Sequence, residues 1–200
     1  MKYEAEIKDL LIENTIRLIA EGGFEKATTR AITYSAPAPE KIKLNEVYIY
    51  RLFGSKERLY EEAFDRLDHE LVYILVSALK KVDDFGEEPR EKIFLVFSEV
   101  WKFLLGNEER CRTYVRFYYS VYFKGVILSA HNKLFASAVS EFEPLFKEEA
   151  DVKSIMHSIL STMLDFAVRV YNGDLSNTEE NKLHIFNVIH STVSVYQKRA

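Results

Sequence analysis

The sequence predicts an all-α protein of about nine helices, and three observations on its residues carry that prediction. Glycine and proline are scarce, seven and four in a chain of 200. Apolar side chains recur at the three-to-four-residue spacing of a helix face along nearly the whole chain. The few glycines and prolines fall between the periodic segments, where helices must end. The helices divide into a short N-terminal group, expected at 1–56, and a larger set at 57–200.

Taken in order, the first helix is expected at 4–20, with Ile7, Leu10, Leu11, Ile16 and Ile19 along it. Gly22 and Gly23 stop it, because glycine accepts the left-handed backbone of a helix end at little cost. Phe24 is then expected to fold back onto that helix. Thr28 or Thr29 caps a second helix at 29–35, ahead of Pro37 and Pro39. Asn45 is a good N-cap for a third at 46–53, closed by Gly54. Ser55 caps a long fourth helix reaching about residue 82, with Leu59, Phe64, Leu67, Leu71 and Leu75 as its apolar stripe. Arg58 stands where a capping box would place Glu, so only the single hydroxyl cap is available. A loop at 83–89 ends on Pro89, which suits the first position of a fifth helix running to about Leu105. A sixth helix at 108–123 is dense in aromatics, and a seventh spans 127–142 before Pro144. The last two, at 152–171 and 178–198, carry broad apolar faces.

Bulk properties narrow the class of protein. A hydrophobic fraction of 48% with 29% charged residues describes a globular chain. The single Cys111 excludes an intramolecular disulfide framework and suits a reducing compartment. No apolar run approaches the roughly 18 residues of a membrane span, and the N-terminus is too charged for a signal peptide. A cytoplasmic location is therefore expected. The net charge is -4, yet it is unevenly spread. Residues 1–60 hold ten basic and nine acidic side chains, leaving 17 basic against 22 acidic in the remainder. The N-terminal part is less acidic rather than strongly basic, and a few of its cations suffice to hold phosphates.

The most informative stretch is 28–60. Two short helices joined by a connection, the second projecting polar and aromatic side chains, are a common way into the DNA major groove. The motifs are Gly22-Gly23-Phe24, Thr28-Thr29-Arg30-Ala31-Ile32, and Val47-Tyr48-Ile49-Tyr50-Arg51-Leu52-Phe53-Gly54-Ser55-Lys56-Glu57-Arg58-Leu59. In that order they resemble the DNA-binding domain of the TetR family of transcriptional regulators, over roughly residues 6–65. The resemblance implies an N-terminal three-helix DNA-binding domain followed by a helical ligand-binding and dimerisation domain. It further implies a homodimer, a palindromic double-stranded DNA operator, and repression released by a small-molecule effector. One departure is the connection at 37–43, which is longer than the family pattern by about six residues and lacks the usual turn glycine. Either the extra residues bulge away from DNA or the reading angle changes.

Carried over by position, the resemblance places Thr28 and Thr29 at phosphate contacts and Asn45, Glu46 and Tyr48 near the bases. Tyr50 and Arg51 match a phosphate-contacting pair, and Lys56 a lysine opening the fourth helix. The chemistry is reasonable by itself, since capped helix N-termini bind phosphate oxygens and Lys, Arg and Tyr are common backbone donors. Glu46 accepts from a cytosine amino group if it faces one and otherwise repels phosphate.

Phe97, Trp101, Tyr114, Phe117, Tyr118, Tyr122 and Phe166 are candidates for the wall of an effector pocket. The same spacing equally describes ordinary helix core, although buried tyrosines then need hydroxyl partners. Ile155, Ile159, Met163, Phe186, Ile189 and Val193, on the last two helices, are candidates for a dimer interface built as a four-helix bundle. Arg116 and Arg169 sit in apolar stretches, with Asp165 or Glu99 as possible partners for a buried guanidinium. His69, His131, His157, His184 and His190 lack metal-ligand spacing and read as solvated or interface side chains. No nucleophile motif, phosphate-cradling glycine loop or paired carboxylate signature occurs, so no enzymatic activity, metal or cofactor is expected. The alternative to a regulator is a helical binding or interaction protein of the same architecture that does not bind DNA.

Overall fold

The helices form where the periodicity places them, and their ends are set by local chemistry. The structure, a computed structural model, describes residues 2–36, 44–83 and 89–198. Among these residues nine α-helices follow in chain order. They are α1 (Lys2–Lys26), α2 (Thr29–Tyr34), α3 (Val47–Phe53), α4 (Lys56–Asp83) and α5 (Pro89–Gly106), then α6 (Glu108–Tyr118), α7 (Gly125–Phe142), α8 (Val152–Tyr171) and α9 (Glu179–Val193). Short 3-10 turns follow α7 at Glu143–Leu145 and α9 at Ser194–Tyr196. The long connection at 37–43 lies outside the described residues, as do residues 84–88 of the expected loop.

The capping residues act as their types require. Thr28 Oγ1 accepts from the Ala31 N–H at 3.1 Å, Ser55 Oγ from Arg58, Asp151 from Ser154 and Thr178 from Asn181, each a hydroxyl or carboxylate satisfying an orphan donor of the first turn. At α3 the expectation shifts by one residue: the helix opens at Val47 with Glu46, not Asn45, in the N-cap position and without a side-chain cap bond, while Asn45 accepts from the Val47 N–H at 3.1 Å. Helix α1 is interrupted by Gly22 and by Gly23, whose φ of 77° is left-handed. That backbone favours glycine, since a side chain rarely adopts it.

Two expected helix ends are corrected. Helix α6 ends at Tyr118 rather than at residue 123. Ser120 ends it, its hydroxyl donating to the Phe117 carbonyl at 2.7 Å and accepting from the Tyr122 N–H at 3.1 Å, which offers the backbone an alternative to the helical ladder. Helix α9 stops at Val193 rather than near 198, because the chain turns and Gln197 pairs antiparallel with Phe146. Phe24 presents its ring to Tyr60, Phe117 and Tyr122 at centroid distances of 5.4, 4.9 and 4.6 Å.

The chain forms two compact units. The first comprises Met1–Asp68 and Glu109–His131, the second His69–Glu108 and Asn132–Ala200. In the first unit α2 and α3 pack on α1, and α6 is pinned to the same helix. Thr113 Oγ1 donates to the Ile16 carbonyl at 2.7 Å, and Arg116 Nη1 to the Ile19 carbonyl at 3.0 Å. Ile19 lies in the last turn before the glycine pair, where carbonyls run out of intrahelical donors. Arg116 thus has a backbone carbonyl as a partner. The core of this unit is aromatic: Tyr60, Phe64 and Phe117 are fully buried, with rings 5.4 to 6.1 Å apart.

In the second unit α8 packs on α5 and on α9. Tyr171 donates its hydroxyl to the Leu104 carbonyl. Arg169 is exposed and pairs with Asp174 at 2.8 Å, closing the α8–α9 loop, while Glu99 pairs with Lys81. Among the described residues no helix is long and apolar enough to cross a membrane.

Candidate nucleic-acid interface and apolar cavity

Helix α3 is held by two buried side chains one turn apart, Ile49 and Phe53, and the helical period then turns Val47, Tyr50 and Arg51 outward. Val47 is 67% and Tyr50 55% exposed. Helix α2 buries Ile32 and Thr33, and leaves Tyr34 71% exposed beneath the guanidinium of Arg30 at 5.5 Å. These outward groups are cationic, phenolic or apolar.

A polar network fixes the register of α2 against α1. Asn14, buried on α1, donates to the Ile32 carbonyl and to Ser35 Oγ, and its own oxygen accepts from Arg17 at 2.7 Å. Arg17 also reaches Ser35 Oγ at 3.1 Å and pairs with Glu21. Tyr60 donates to the Ala27 carbonyl at 2.7 Å, tying the first turns of α4 to the α1–α2 junction. Burial pushes the Tyr60 hydroxyl pKa well up, so it stays a donor.

Of the residues singled out for DNA, the structure joins Thr29 to Glu46 and Tyr48 to Arg51. Thr28 and Asn45 spend side-chain oxygens on backbone N–H groups. Glu46 turns to α2, where its carboxylate accepts from the Thr29 hydroxyl, which links the starts of α2 and α3. The Tyr48 ring lies under the Arg51 guanidinium at 4.7 Å, and Arg51 stands 3.8 Å from Glu4. Lys56 sits 5.2 Å over the Tyr60 ring. Val47, the most exposed side chain of α3, was not among the expected residues, since its apolar type gave no signal for it.

One buried polar cluster was not foreseen. Asp68 accepts from His131 Nδ1 with both oxygens at 3.0 Å, and from the Tyr114 hydroxyl at 3.2 Å. All three side chains are buried, so His131 is a core residue and not a solvated one. Phe64, Tyr118 and Phe123 surround its ring. Burial, and next the Asp68 charge, push the Tyr114 pKa well above its usual value.

The second unit holds an apolar cavity of about 80 Å³. It is walled by Ile93, Phe97 and Val100 of α5, Met156, Ile159, Leu160 and Met163 of α8, and Phe186, Ile189 and Val193 of α9. Gln197 supplies its polar side chain. Of the seven aromatic candidates only Phe97 lines this cavity. Trp101 stacks on Phe97 at 6.0 Å, whereas Tyr114, Phe117, Tyr118 and Tyr122 belong to the aromatic core of the first unit, and Phe166 lies beneath Arg169. The six dimer candidates turn inward. Ile159, Met163, Phe186, Ile189 and Val193 form cavity wall and Ile155 is buried, while the exposed large hydrophobic residues of α9 and its end are Leu183, Val188, Val195 and Tyr196.

Arg90 stands 5.2 Å and His190 5.4 Å from the Phe186 ring. Burial, and then the Arg90 charge, lower the His190 pKa below its usual value. The unfolded chain, with a histidine pKa of about 6.5, therefore binds the proton more readily than the native state. His190 contributes stability that is present above about pH 6.5 and lost as pH falls through the lowered native pKa. Thermal melts at pH 7.5 and 5.5 should show a smaller acid-side drop in His190→Gln than in the parent chain.

With this geometry in view, comparison with solved structures shows a shared fold. The chain matches a TetR family transcription regulator from Marinobacter aquaeolei VT8 with a TM-score of 0.75 at 16% identity, covering 96% of this chain and 97% of that one. It matches a TetR-like transcriptional regulator from Rhodococcus sp. RHA1 with a TM-score of 0.65 at 17% identity, covering 93% and 94%. It also matches the fatty acid degradation regulator FadR from Bacillus halodurans with a TM-score of 0.63 at 15% identity, covering 92% and 96%. The likeness runs over nearly the whole chain in each case. No protein-family model and no curated protein matches the sequence.

Proposed function

We propose, from a fold shared nearly end to end with TetR-family regulators, that this chain is a non-enzymatic, DNA-binding transcriptional regulator of that kind. One observation carries the reading. Helix α3 buries Ile49 and Phe53 and leaves Val47, Tyr50 and Arg51 outward, with Lys56 opening the next helix. An exposed face of that chemistry suits a major groove: Tyr50, Arg51 and Lys56 donate to phosphates, and Val47 meets a thymine methyl. Glu46, bonded to Thr29, keeps its charge off the phosphates.

The division of labour follows residues 1–56 for DNA and 57–200 for effector binding and dimerisation. The apolar cavity is the effector site in this reading, and effector binding releases a repressor by shifting the population of DNA-competent conformers. Dimerisation uses the outer face of α9 and the turn that follows it, where Leu183, Val188 and Val195 stay exposed. A twofold dimer then places two α3 helices on the half-sites of a palindromic operator.

The test is fluorescence anisotropy on duplex DNA from upstream of the chain's own coding region, across a salt series. Lys56→Ala should weaken binding uniformly across sequences and reduce the salt slope by about 1. Tyr50→Ala should weaken it about tenfold, the loss of one charge-assisted hydrogen bond. Absence of binding even at low salt would overturn the regulator reading and favour the interaction protein.

A further inference from the structure

The cavity of the second unit contains one feature that plain packing does not explain. Its walls are aliphatic and aromatic, yet Gln197 belongs to its lining and holds Nε2 buried without a hydrogen-bond partner. A buried amide donor left unmade is costly. The position of that side chain is built rather than incidental. The backbone of Gln197 forms an antiparallel bridge with Phe146, flanked by the Lys147 N–H to Tyr196 carbonyl bond at 2.8 Å and the Lys198 N–H to Leu145 carbonyl bond at 3.1 Å. Phe146 itself is part of the same lining.

We propose that the cavity takes an unbranched acyl compound, whose chain lies among the apolar walls and whose carbonyl oxygen accepts from Gln197 Nε2. This rests on the cavity being the effector site. The space is small, so a ligand enters only where side chains give way. At about 80 Å³ it is roughly half the volume of a dry cavity that admits benzene, about 150 Å³. A fused aromatic ring system would have to displace backbone. A single alkyl chain is admitted by rotating Met156 and Met163, whose unbranched side chains adapt at low cost. The lining takes in Phe186, Ile189 and Val193 of α9 and then Gln197, which lies beyond the end of that helix and is the polar side chain among apolar neighbours.

The chain carries its own reporter. Trp101, the sole tryptophan, stacks at 12° on Phe97 of the cavity wall. Titrating the full chain, in the absence of DNA, with n-octane, methyl octanoate and octanoic acid should change its fluorescence saturably with each. Gln197→Met should weaken the ester and the acid about tenfold, one hydrogen bond's worth, and leave octane within about twofold. Ile159→Phe, which fills the cavity, should weaken all three, and circular dichroism checks that both variants fold. The proposal is overturned by no saturable change with any probe, by an undiminished ester preference in Gln197→Met, or by an acid that binds while the ester does no better than octane. Should an octanoyl probe bind without displacing the protein from DNA, the effector-release reading fails and the ligand class stands. Should DNA binding hold while no probe binds, the ligand class fails alone.

Discussion

Replacing Phe117 by alanine is expected to lower the free energy of unfolding by about 3–5 kcal/mol, the range for truncating a large aromatic in a packed core. Phe117 is fully buried and meets three other rings, those of Phe24, Tyr60 and Phe64. The carbonyl next to its ring also anchors the Ser120 turn, so the cavity left behind lies where α6 ends and cannot close without breaking that turn. Against a total stability of about 5–15 kcal/mol for a native protein, such a loss removes a large share. Urea denaturation followed by circular dichroism should show the midpoint falling with little change in slope. A change below about 1 kcal/mol would mean that the aromatic cluster is loosely packed. Phe117→Leu, which keeps much of the volume, should cost clearly less.

Removing the Asp68 carboxylate should cost nearly as much. Asp68→Ala leaves His131 Nδ1 and the Tyr114 hydroxyl buried without their shared acceptor, and each buried polar group left unmade costs about 1–3 kcal/mol. Asp68→Asn keeps an acceptor oxygen in the same place and should cost less, whereas Tyr114→Phe loses one hydrogen bond, about 1 kcal/mol. The informative measurement is a double-mutant cycle on Asp68 and His131. A coupling energy near zero would show that the two side chains are neighbours and no more. A large one would show that α4 and α7 are held together through this contact.

Much of the fold was legible because helix formation and termination are local. Asn45, Ser55 and Thr28 act on N–H groups two or three positions along the chain, and Gly23 stops α1 through its own φ. Where a local competitor was overlooked the boundary moved. Ser120 ended α6 five residues early, and the Phe146–Gln197 bridge shortened α9. The motif residues of α2, α3 and the start of α4 were legible for the same reason, since their spacing is that of single helices. The bond between Thr29 and Glu46 was not, because it depends on how α2 and α3 are placed against each other.

The sequence by itself determined an all-α chain, the order and approximate ends of its helices, and the motif stretch that forms α2, α3 and the start of α4. Only the tertiary structure decided which apolar faces look inward. Ile159, Met163, Phe186, Ile189 and Val193 became cavity wall, although periodicity marks a face as apolar without saying whether its own chain or a second one covers it. Aromatics that share a helical spacing parted between two units, Phe97 and Trp101 in one and Tyr114, Phe117 and Tyr118 in the other. Asp68 and His131, 63 positions apart, met in a buried pair. Such contacts are set by chain packing over long separations, where short-range pattern has no information.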